Sequence, residues 1–508
     1  MLGRVRAAVL RGIDAQLISV EVDLAGGLPT IATVGLPDSA VREGIDRVRS
    51  ALRNSGFALP SRRVVINLAP AETPKRGAGL DLPIAIAILA ADGHLPLSTL
   101  GKTLLCGELS LDGGLRPIRG AMAMALAARE AGIKRMVVPE SNGAEAALVP
   151  DLQVLAASSL REAIQRLKAG RPTVVVEPIA DRLAAACNSP ACAVDLSQVQ
   201  GQESARRGLE IAAAGGHHLL LVGPPGSGKT MLARRLPGIL PPLDEEECLE
   251  ITRIHGAAGV ANGLVMTRPF RAPHHGVTPA GMTGGGVPIR PGEITLASHG
   301  VLYLDELPEF RREPLEALRQ PLESGSIRVV RHREVADLPA QFQLVASMNP
   351  CPCGYADHHD GRCACSPPKI ATYQSRLSGP LLDRFDLVCR MTALRGQELQ
   401  DEPNESSHAV RQRVSSARER QRQRNPPERR YNGALEREEL LKADRIERDA
   451  RGILDDAVDR LGLSMRAYDR VLRIARTVAD LDVVVRIGRG HLLEALQYRQ
   501  LPARGDAS

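Results

Sequence analysis

The segment Leu219–Thr230, LLLVGPPGSGKT, constrains the fold of this chain more than any other stretch of its sequence. An apolar run with strand character leads into a glycine-rich turn, which ends in a lysine and a threonine. The spacing follows the P-loop pattern G-x-x-x-x-G-K-[ST], in which a strand, a loop and a helix start surround a phosphate group. The sequence therefore predicts an open α/β sheet here. A plain strand–turn–helix connection without a ligand is the alternative interpretation.

Each residue type in this loop contributes to holding phosphate. Glycines let backbone N–H groups approach the phosphate oxygens, and the helix that follows directs its positive end at the anion. Lys229 would reach the β- and γ-phosphates, and Thr230 would offer its hydroxyl to Mg²⁺. We therefore expect ATP and Mg²⁺ as cofactors. The expected nucleotide-binding residues are Gly223, Pro224, Pro225, Gly226, Ser227, Gly228, Lys229 and Thr230.

Two further apolar segments end in polar residues suited to the same site. Val301–Glu306, VLYLDE, ends in two carboxylates. Asp305 can hold Mg²⁺ through water, and Glu306 can polarise the attacking water. Phe342–Asn349 ends in an amide, which at the carboxyl end of a strand lies at the ligand edge of an open α/β sheet. We expect Asn349 to orient the water, although the residue by itself would be more typical of a cap.

The rest of the chain predicts further domains on either side of this core. A chain of 508 residues is too long for a single hydrophobic core. Residues 1–168 alternate strand-like and helix-like runs, which predicts an N-terminal α+β domain, and residues 169–195 are typical of a linker. We expect the nucleotide-binding core over residues 196–392 and a helical domain over residues 393–508.

In this order the motifs resemble those of the AAA+ ATPases. GPPGSGKT is similar to Walker A and LYLDE to Walker B, and Asn349 matches sensor 1. SGPLLDRFDL resembles the arginine-finger box of the Mg-chelatase and MCM-helicase branch, which points to Arg384. SMRAYDRVLRIA resembles the lid helix that carries sensor 2, with Arg466 as the matching arginine. Because an arginine finger acts on the nucleotide of an adjacent subunit, the resemblance implies a homo-oligomer, a hexameric ring.

Longer stretches resemble the YifB/ComM family of Mg-chelatase-like proteins over nearly the whole chain. Among the most specific are RPGEITLASHGVLYLDELPEF and ASMNPCPCG. The resemblance implies an AAA+ P-loop core with a C-terminal helical lid that hydrolyses ATP. It also implies DNA as the partner, with a ring helicase that drives branch migration in recombination and natural transformation. A metal-chelatase-like remodelling motor without a DNA substrate is the alternative.

The N-terminal segments PKRGAGLDLPIA and LRPIRGAMAMALAA resemble the proteolytic domain of Lon, a fold shared with a domain of a ribosomal protein. A Ser–Lys protease needs a nucleophilic serine and a lysine that deprotonates it. The aligned serine position holds Gly79, and the aligned lysine positions hold Met122 and Met124. We therefore expect no peptidase activity. A dyad assembled from Ser61 and Lys75 is the alternative.

Four of the nine cysteines lie close together in an insert within the core, residues 351–365. Proline and glycine turns around them can bring four soft ligands together, and four thiolates suit a tetrahedral, structural Zn²⁺. The alternatives are an iron–sulfur cluster, a ligand from His358 or His359, and a loop of reduced thiols without metal. The expected ligands are Cys351, Cys353, Cys363 and Cys365.

Ser326–Val335, SIRVVRHREV, alternates apolar and basic residues between the Walker B and sensor 1 segments. This pattern predicts a β-hairpin, and in the MCM-like branch such a hairpin projects into the ring pore. Its basic residues Arg328, Arg331 and Arg333 would contact single-stranded or branched DNA through the phosphate backbone, without reading bases. An edge hairpin with solvated arginines is the alternative.

The formal charge of +6 permits contact with nucleic acid without requiring it. Arg411–Arg430 holds eight Arg and two Glu, so it could bind DNA outside the ring or form a solvated helix face. The chain has no tryptophan and few other aromatic residues, which argues against a surface that stacks many bases. The N-terminus has no apolar signal and no apolar run could span a bilayer. We therefore expect a cytoplasmic location and no membrane partner.

Overall fold

The computed structural model of the chain contains two α/β units followed by a helical unit. None of the helices among its described residues combines the length and the apolar character that crossing a bilayer requires. The residues described are all except Met1, Thr73, Val175, 189–193, Asn262, 332–333, 357–361, 394–403, 443–444, 462–463 and 500–508.

A mixed seven-stranded sheet in the order β3–β4–β2–β1–β5–β8–β9 organises the N-terminal unit. Its central helix α2 is buried along its whole length, between the sheet and α1, because DLPIAIAILAA offers no polar face. The strands are β1 (Leu2–Arg11), β2 (Asp14–Ala25), β3 (Ile31–Val34), β4 (Arg63–Ala69), β5 (Thr103–Leu105), β6 (Glu108–Leu109), β7 (Leu115–Arg116), β8 (Arg135–Pro139) and β9 (Gln153–Ala157). The helices are α1 (Ser39–Asn54), α2 (Asp81–Ala91), α3 (Ala121–Glu130), α4 (Glu140–Ala146) and α5 (Leu160–Ala169).

A parallel five-stranded sheet in the order β11–β14–β17–β10–β18 forms the core of the second unit. The three strands in its middle are buried over their whole length, as expected where helices cover both faces. The strands are β10 (Leu219–Val222), β11 (Phe270–Arg271), β12 (Gly284–Gly285), β13 (Arg290–Pro291), β14 (Val301–Leu304), β15 (Ser326–Arg331), β16 (Glu334–Pro339), β17 (Gln343–Met348) and β18 (Leu387–Arg390). The helices are α6 (Ile179–Asn188), α7 (Glu203–Gly215), α8 (Lys229–Ala233), α9 (Leu236–Ile239), α10 (Glu245–Ala258), α11 (Pro279–Thr283), α12 (Glu293–Leu296), α13 (Arg312–Glu316), α14 (Arg319–Ser324), α15 (Pro367–Ser375) and α16 (Gly379–Leu382).

The C-terminal unit is helical and packs on α7 of the core sheet. Its two long helices α17 and α20 both contact α7, and their apolar side chains belong to the same buried cluster as those of β10. The helices are α17 (Ser407–Arg424), α18 (Arg437–Leu440), α19 (Arg448–Leu461), α20 (Met465–Leu481) and α21 (Arg489–Gln497).

The arginine-rich segment Arg411–Arg430 joins the helices of this unit to one another and to the core. Arg424 pairs with the buried Asp480 of α20, with 2.8 Å between Nη2 and Oδ2. Arg418 donates from Nε to the carbonyl oxygen of Ala213 in α7 at 2.9 Å. The expectation of a solvated or DNA-facing helix is therefore wrong for these side chains, because they serve internal packing.

The N-terminal unit contacts the second unit at the hairpin β15–β16 and at α10. Arg76 pairs with Glu334 of β16 at 2.8 Å, and Arg253 of α10 pairs with Asp14 at 2.9 Å. Ile13, in the turn between β1 and β2, packs in the same apolar cluster as the inner face of the hairpin. The N-terminal unit therefore contributes to the packing at the inner face of the hairpin.

A charged cluster joins α10 to the turn before β14. His299 Nε2 lies 2.6 Å from Glu250, and its Nδ1 lies 3.5 Å from Glu247, which also pairs with Arg268 at 2.9 Å. Burial alone would lower the pKa of His299, but hydrogen bonds to the two glutamates and their charges raise it to about 9. His299 is therefore an imidazolium at neutral pH.

We expect His299→Gln to remove a pH-dependent part of the stability. Because the folded pKa of His299 lies above its ordinary value, its contribution is complete below about pH 6.5 and is lost as the pH rises through about 9. The wild type should lose about 1–3 kcal/mol of unfolding free energy over this window that the variant does not lose. Urea unfolding at several pH values measures this, with exposed His94→Gln as control. Parallel pH profiles of wild type and His299→Gln would contradict the assignment.

Candidate nucleotide-binding site

Three adjacent strands of the core sheet end at the same edge with polar groups. The glycine-rich loop follows β10, Asp305 follows β14 and Asn349 follows β17. In the parallel register, Val222 lies opposite Met348 at the end of the strands. The carboxyl edge of a parallel sheet is where open α/β folds bind ligands, and the three segments meet there as expected.

The loop after β10 has a shape that depends on glycine. Gly226 and Gly228 have φ angles of 78° and 88°, in the left-handed region. A Cβ atom on Gly223 would lie 2.6 Å from the carbonyl oxygen of Met391. Ser227 is buried, whereas Pro225 is exposed at the turn of the loop. The backbone therefore adopts the open loop that the sequence pattern predicts.

Lys229 joins the loop to the neighbouring strand. Its Nζ donates to the carbonyl oxygens of Gly223 and Pro224 at 2.7 and 2.8 Å, and to Oδ1 of Asn349 at 3.1 Å. Burial lowers the pKa of Lys229, and the charges of Asp305 and Glu306 oppose this shift. The ammonium group thus already lies between the loop and the strand end where the sequence predicts a triphosphate.

Asp305 is held by three hydroxyl groups. Thr230 donates to Oδ2 at 2.9 Å, Tyr303 donates to Oδ1 at 3.0 Å, and Ser347 also donates to Oδ1. Burial alone would raise the pKa of Asp305, but these hydrogen bonds lower it below its ordinary value, so the carboxylate is ionised at neutral pH. Sequence reasoning missed Tyr303 and Ser347. Tyr303 stands two residues before Asp305, and Ser347 stands two residues before Asn349. Because side chains alternate along a strand, each lies on the same face as the polar residue that it precedes.

Glu306 has a strained backbone and a free carboxylate. Its φ of 52° is in the left-handed region, which costs a non-glycine residue about 1–3 kcal/mol. Its backbone N–H lies 3.1 Å from Oδ1 of Asp305 and 3.3 Å from Oγ of Ser347, within hydrogen-bonding distance of both. Within the part of the chain that the structure describes, its exposed carboxylate has no hydrogen-bond partner, so it remains available to a water molecule.

Arg384 lies at the opposite edge of the sheet. It precedes β18, in which Leu387 pairs with Leu219 at the start of β10. The length of β10, four residues or about 13 Å, therefore separates this edge from the glycine-rich loop. Arg384 forms an ion pair with Glu323 of α14 instead. The structure does not bring Arg384 to the loop of its own chain.

Arg466 lies near the Arg384 edge as well. It stands one helical turn before Arg470 on α20, and the Arg470 guanidinium lies 3.7 Å from Asp383, the residue before Arg384. Arg466 itself is exposed, and no described residue forms an ion pair with it. The two arginines that the resemblance assigns to nucleotide chemistry are thus grouped on one side of the chain.

The four cysteines of the insert converge. Their sulfur atoms all lie within 4.8 Å of one another and could hold a metal ion. Cys351 is buried, and its Sγ lies 3.3 Å from that of Cys353 and 3.7 Å from that of Cys363. A backbone hydrogen bond from Tyr355 contributes most to a lowered pKa of about 6 for Cys353. Cys365 completes the cluster, whereas His358 and His359 lie outside the described residues.

The predicted hairpin is present, and its charges are partly compensated. Arg328 pairs across the hairpin with Asp337 at 3.1 Å, and both side chains are about two-thirds exposed. Arg331 is exposed near the tip, opposite Glu334 in the strand register. Arg333 lies outside the described residues. The outer face therefore mixes both signs of charge.

A cavity of about 650 Å³ opens at the Arg384 edge of the sheet, away from the glycine-rich loop. It is lined by both charged and apolar groups, among them Glu247, Arg268, His299, Glu323 and Arg418. The glycine-rich loop lies at the other edge and does not line this cavity.

The positions expected for a Lon-type dyad have apolar surroundings. Met122 and Met124 are buried in an apolar cluster, and a Cβ atom on Gly79 would contact Ile118. Lys75 is fully buried and donates to the carbonyl oxygen of Pro70. Ser61 is exposed, and no hydrogen bond joins it to Lys75 in the described part of the chain. The absence of peptidase activity stays a prediction.

Family models match most of the chain. Residues 20–142 match "Subunit ChlI of Mg-chelatase", residues 195–399 match "Magnesium chelatase, subunit ChlI", and residues 404–499 match the C-terminal model of the same subunit. Together with the parallel sheet and the loop geometry, these matches define an AAA+ protein of the Mg-chelatase type.

Relatives of nearly full length narrow the class to a family. YifB of Salmonella typhimurium is 45% identical over 500 residues, which cover 98% of this chain and 96% of the relative. Competence protein ComM of Haemophilus influenzae is 42% identical over 496 residues, 96% of each chain. The chain belongs to the YifB/ComM family. A Lon protease of Rhizobium meliloti is 26% identical over 164 residues, 30% of this chain and 20% of the relative, which confirms the expected likeness to Lon.

Proposed function

We propose that this chain is an ATP-hydrolysing ring motor that acts on DNA, as a branch-migration helicase in recombination. The observation that carries the proposal is the convergence of Lys229, Thr230, Asp305 and Asn349 at one sheet edge, with Arg384 at the other. The relationship to a competence protein supports DNA as the substrate. The proposed location is the cytoplasm, without a membrane partner.

The residues at the loop fit ATP and Mg²⁺. Gly226 and Gly228, with φ in the left-handed region, would let the loop backbone approach a phosphate, and Lys229 would exchange its carbonyl partners for phosphate oxygens. Thr230 and Asp305, already hydrogen-bonded to each other, would hold Mg²⁺, which when bound neutralises charge on the phosphates. Glu306 would accept a proton from the attacking water, and Asn349 would orient that water.

A ring completes this site. Because Arg384 lies a strand length away from its own loop, it serves a nucleotide only on an adjacent subunit. Arg466, exposed near the same edge, would act on that nucleotide together with Arg384. We propose a homo-oligomer, a hexamer, in which each site combines one subunit's loop with the next subunit's arginines.

The hairpin β15–β16 is the proposed DNA contact. Arg328 and Arg331 are exposed on it, and Ile13 of the N-terminal unit packs in the apolar cluster at its inner face. Arg333, the third proposed contact, lies outside the described residues. Guanidinium groups on a moving hairpin would attract phosphates without base specificity.

One observation favours the second candidate function, a chelatase-like remodelling motor without DNA. Arg328 is already paired with Asp337, which lowers its availability to a phosphate.

The four-cysteine cluster is the proposed site of a structural Zn²⁺. A tetrahedral ion with Zn–S bonds of about 2.3 Å places its sulfur ligands ~3.8 Å apart. The sulfur–sulfur distances of 3.3, 3.6 and 3.7 Å among Cys351, Cys353 and Cys363 are close to this value. A cluster of several iron atoms would need more widely spaced thiolates.

We expect Glu306→Gln to lower the ATP turnover rate by about 10²–10⁴-fold and to leave ATP binding intact, because only the proton acceptor is lost. Steady-state hydrolysis and titration with a fluorescent ATP analogue measure the two quantities. Glu309→Gln, which changes an exposed carboxylate three residues away, is the matched control. Normal hydrolysis by Glu306→Gln would rule out the proposed role.

We expect Arg384→Ala to reduce hydrolysis by about 10³-fold because the adjacent site loses its finger. Mixing this variant with Glu306→Gln should restore activity. In a mixed ring, the glycine-rich loop of an Arg384→Ala subunit can lie beside a Glu306→Gln subunit, which retains Arg384. That site then has both an intact Glu306 and an intact arginine finger. Mixtures no more active than either variant alone, in particles of wild-type size, would contradict action across subunits.

We expect single-stranded and forked DNA to stimulate ATP hydrolysis, and salt to weaken the effect because phosphate contacts release counterions. Arg331→Gln should reduce the stimulation and leave hydrolysis without DNA unchanged. Hydrolysis that ignores DNA at low salt would favour the chelatase-like candidate.

A further inference from the structure

The four-cysteine insert begins directly at the nucleotide site. Cys351 follows Asn349 by two residues, and Asn349 accepts the hydrogen bond from Lys229 at 3.1 Å. The intervening Pro350 is fixed from the other side, because its carbonyl oxygen accepts a hydrogen bond from Gln374 at 3.3 Å. Any movement of Cys351 therefore reaches Asn349 through a very short and constrained stretch of backbone.

The insert also touches the glycine-rich loop directly. Gly354, one residue after Cys353, has a φ of 88° and packs against Pro225. A Cβ atom at this position would lie 2.4 Å from Cδ and 2.7 Å from Cγ of Pro225, distances too short for any side chain. Two separate connections, through Asn349 and through Pro225, thus join the cysteine cluster to the loop.

No regular secondary structure holds the cysteine pairs in place. Cys351 and Cys353 lie in a turn after β17, and Cys363 and Cys365 lie in a segment without regular secondary structure before α15. The fold of such a segment depends on its metal, because the ligands alone supply few contacts to offset the entropy of ordering the chain. The bound metal would thus determine the position of both segments that contact the nucleotide site.

We propose that metal binding at the four cysteines controls the nucleotide affinity of the glycine-rich loop. The metal-loaded insert holds Gly354 against Pro225 and keeps Asn349 beside Lys229. Loss of the metal releases both contacts, and the loop then binds ATP more weakly. This inference rests on the proposed Zn²⁺ site and ATP site, and it assigns the zinc a regulatory effect in addition to a structural one.

The test distinguishes the effect of the bound metal from the effect of the contact between Gly354 and Pro225. Full-length wild type, Cys363→Ser and Gly354→Ala are compared for zinc content by mass spectrometry and for affinity towards a fluorescent ATP analogue in excess Mg²⁺. Wild type should hold about one zinc per chain. Cys363→Ser should lose the zinc and bind nucleotide at least tenfold more weakly, equivalent to ~1.4 kcal/mol.

Gly354→Ala is the decisive variant because all four ligands remain. We expect it to retain the zinc and to lose nucleotide affinity, since its methyl group would displace the insert from Pro225. Combining it with Pro225→Ala removes the two clashing atoms and should recover part of the affinity. Gly93→Ala is the matched control: Gly93 has a φ of 87° and no neighbour within 4 Å of an added Cβ, so the variant should match wild type.

Each outcome identifies the step that fails. Wild type that binds nucleotide but holds no zinc would overturn the metal site, and with it this inference. Zinc-loaded wild type whose affinity matches that of zinc-free Cys363→Ser and of Gly354→Ala would overturn the coupling alone. Wild type that holds zinc and binds no ATP would overturn the proposed function. Circular dichroism and particle size establish that the variants compared are folded.

Discussion

The parallel alignment of β10, β14 and β17 is the constraint on which the rest of this structure depends. Hydrogen bonds between these buried strands set their register, so the loop after β10, Asp305 and Asn349 end at one edge. The contacts of Lys229 and Thr230 across that edge follow from the register. A shift of one residue would turn every side chain of a strand to the other face and separate these groups.

The same sheet divides the proposed chemistry between its two edges. Strand ends at the carboxyl edge hold the groups for phosphate, and the segment before β18 places Arg384 at the amino edge. In the proposed ring, a single chain therefore contributes to two different nucleotide sites, its loop to one site and its arginines to the other. The helical unit adds Arg466 near the amino edge. Within this unit Arg424 of α17 pairs with Asp480 of α20, and Arg418 of α17 hydrogen-bonds to Ala213 of α7 in the core.

Sequence patterns predicted the elements that have a strong periodicity. They missed elements and contacts that depend on pairing with segments distant in sequence. The expected hairpin 326–335 exists as β15 and β16, and the expected lid helix exists as α20. Strand β1 was missed because its alternating arginines face solvent, and only pairing with β2 and β5 makes it central. Arg418 and Arg424 of α17 were misjudged because their partners Ala213 and Asp480 lie far away in sequence.

The sequence by itself determined the glycine-rich loop, the carboxylates Asp305 and Glu306, and the pairs of cysteines, because the chemistry of each depends on residues close together in the chain. Only the tertiary structure decided that Tyr303 and Ser347 hold Asp305, that Arg384 faces away from its own loop, and that Gly354 touches Pro225. These contacts join residues from separate strands and turns, and their distances follow from strand register and packing, which no local pattern records.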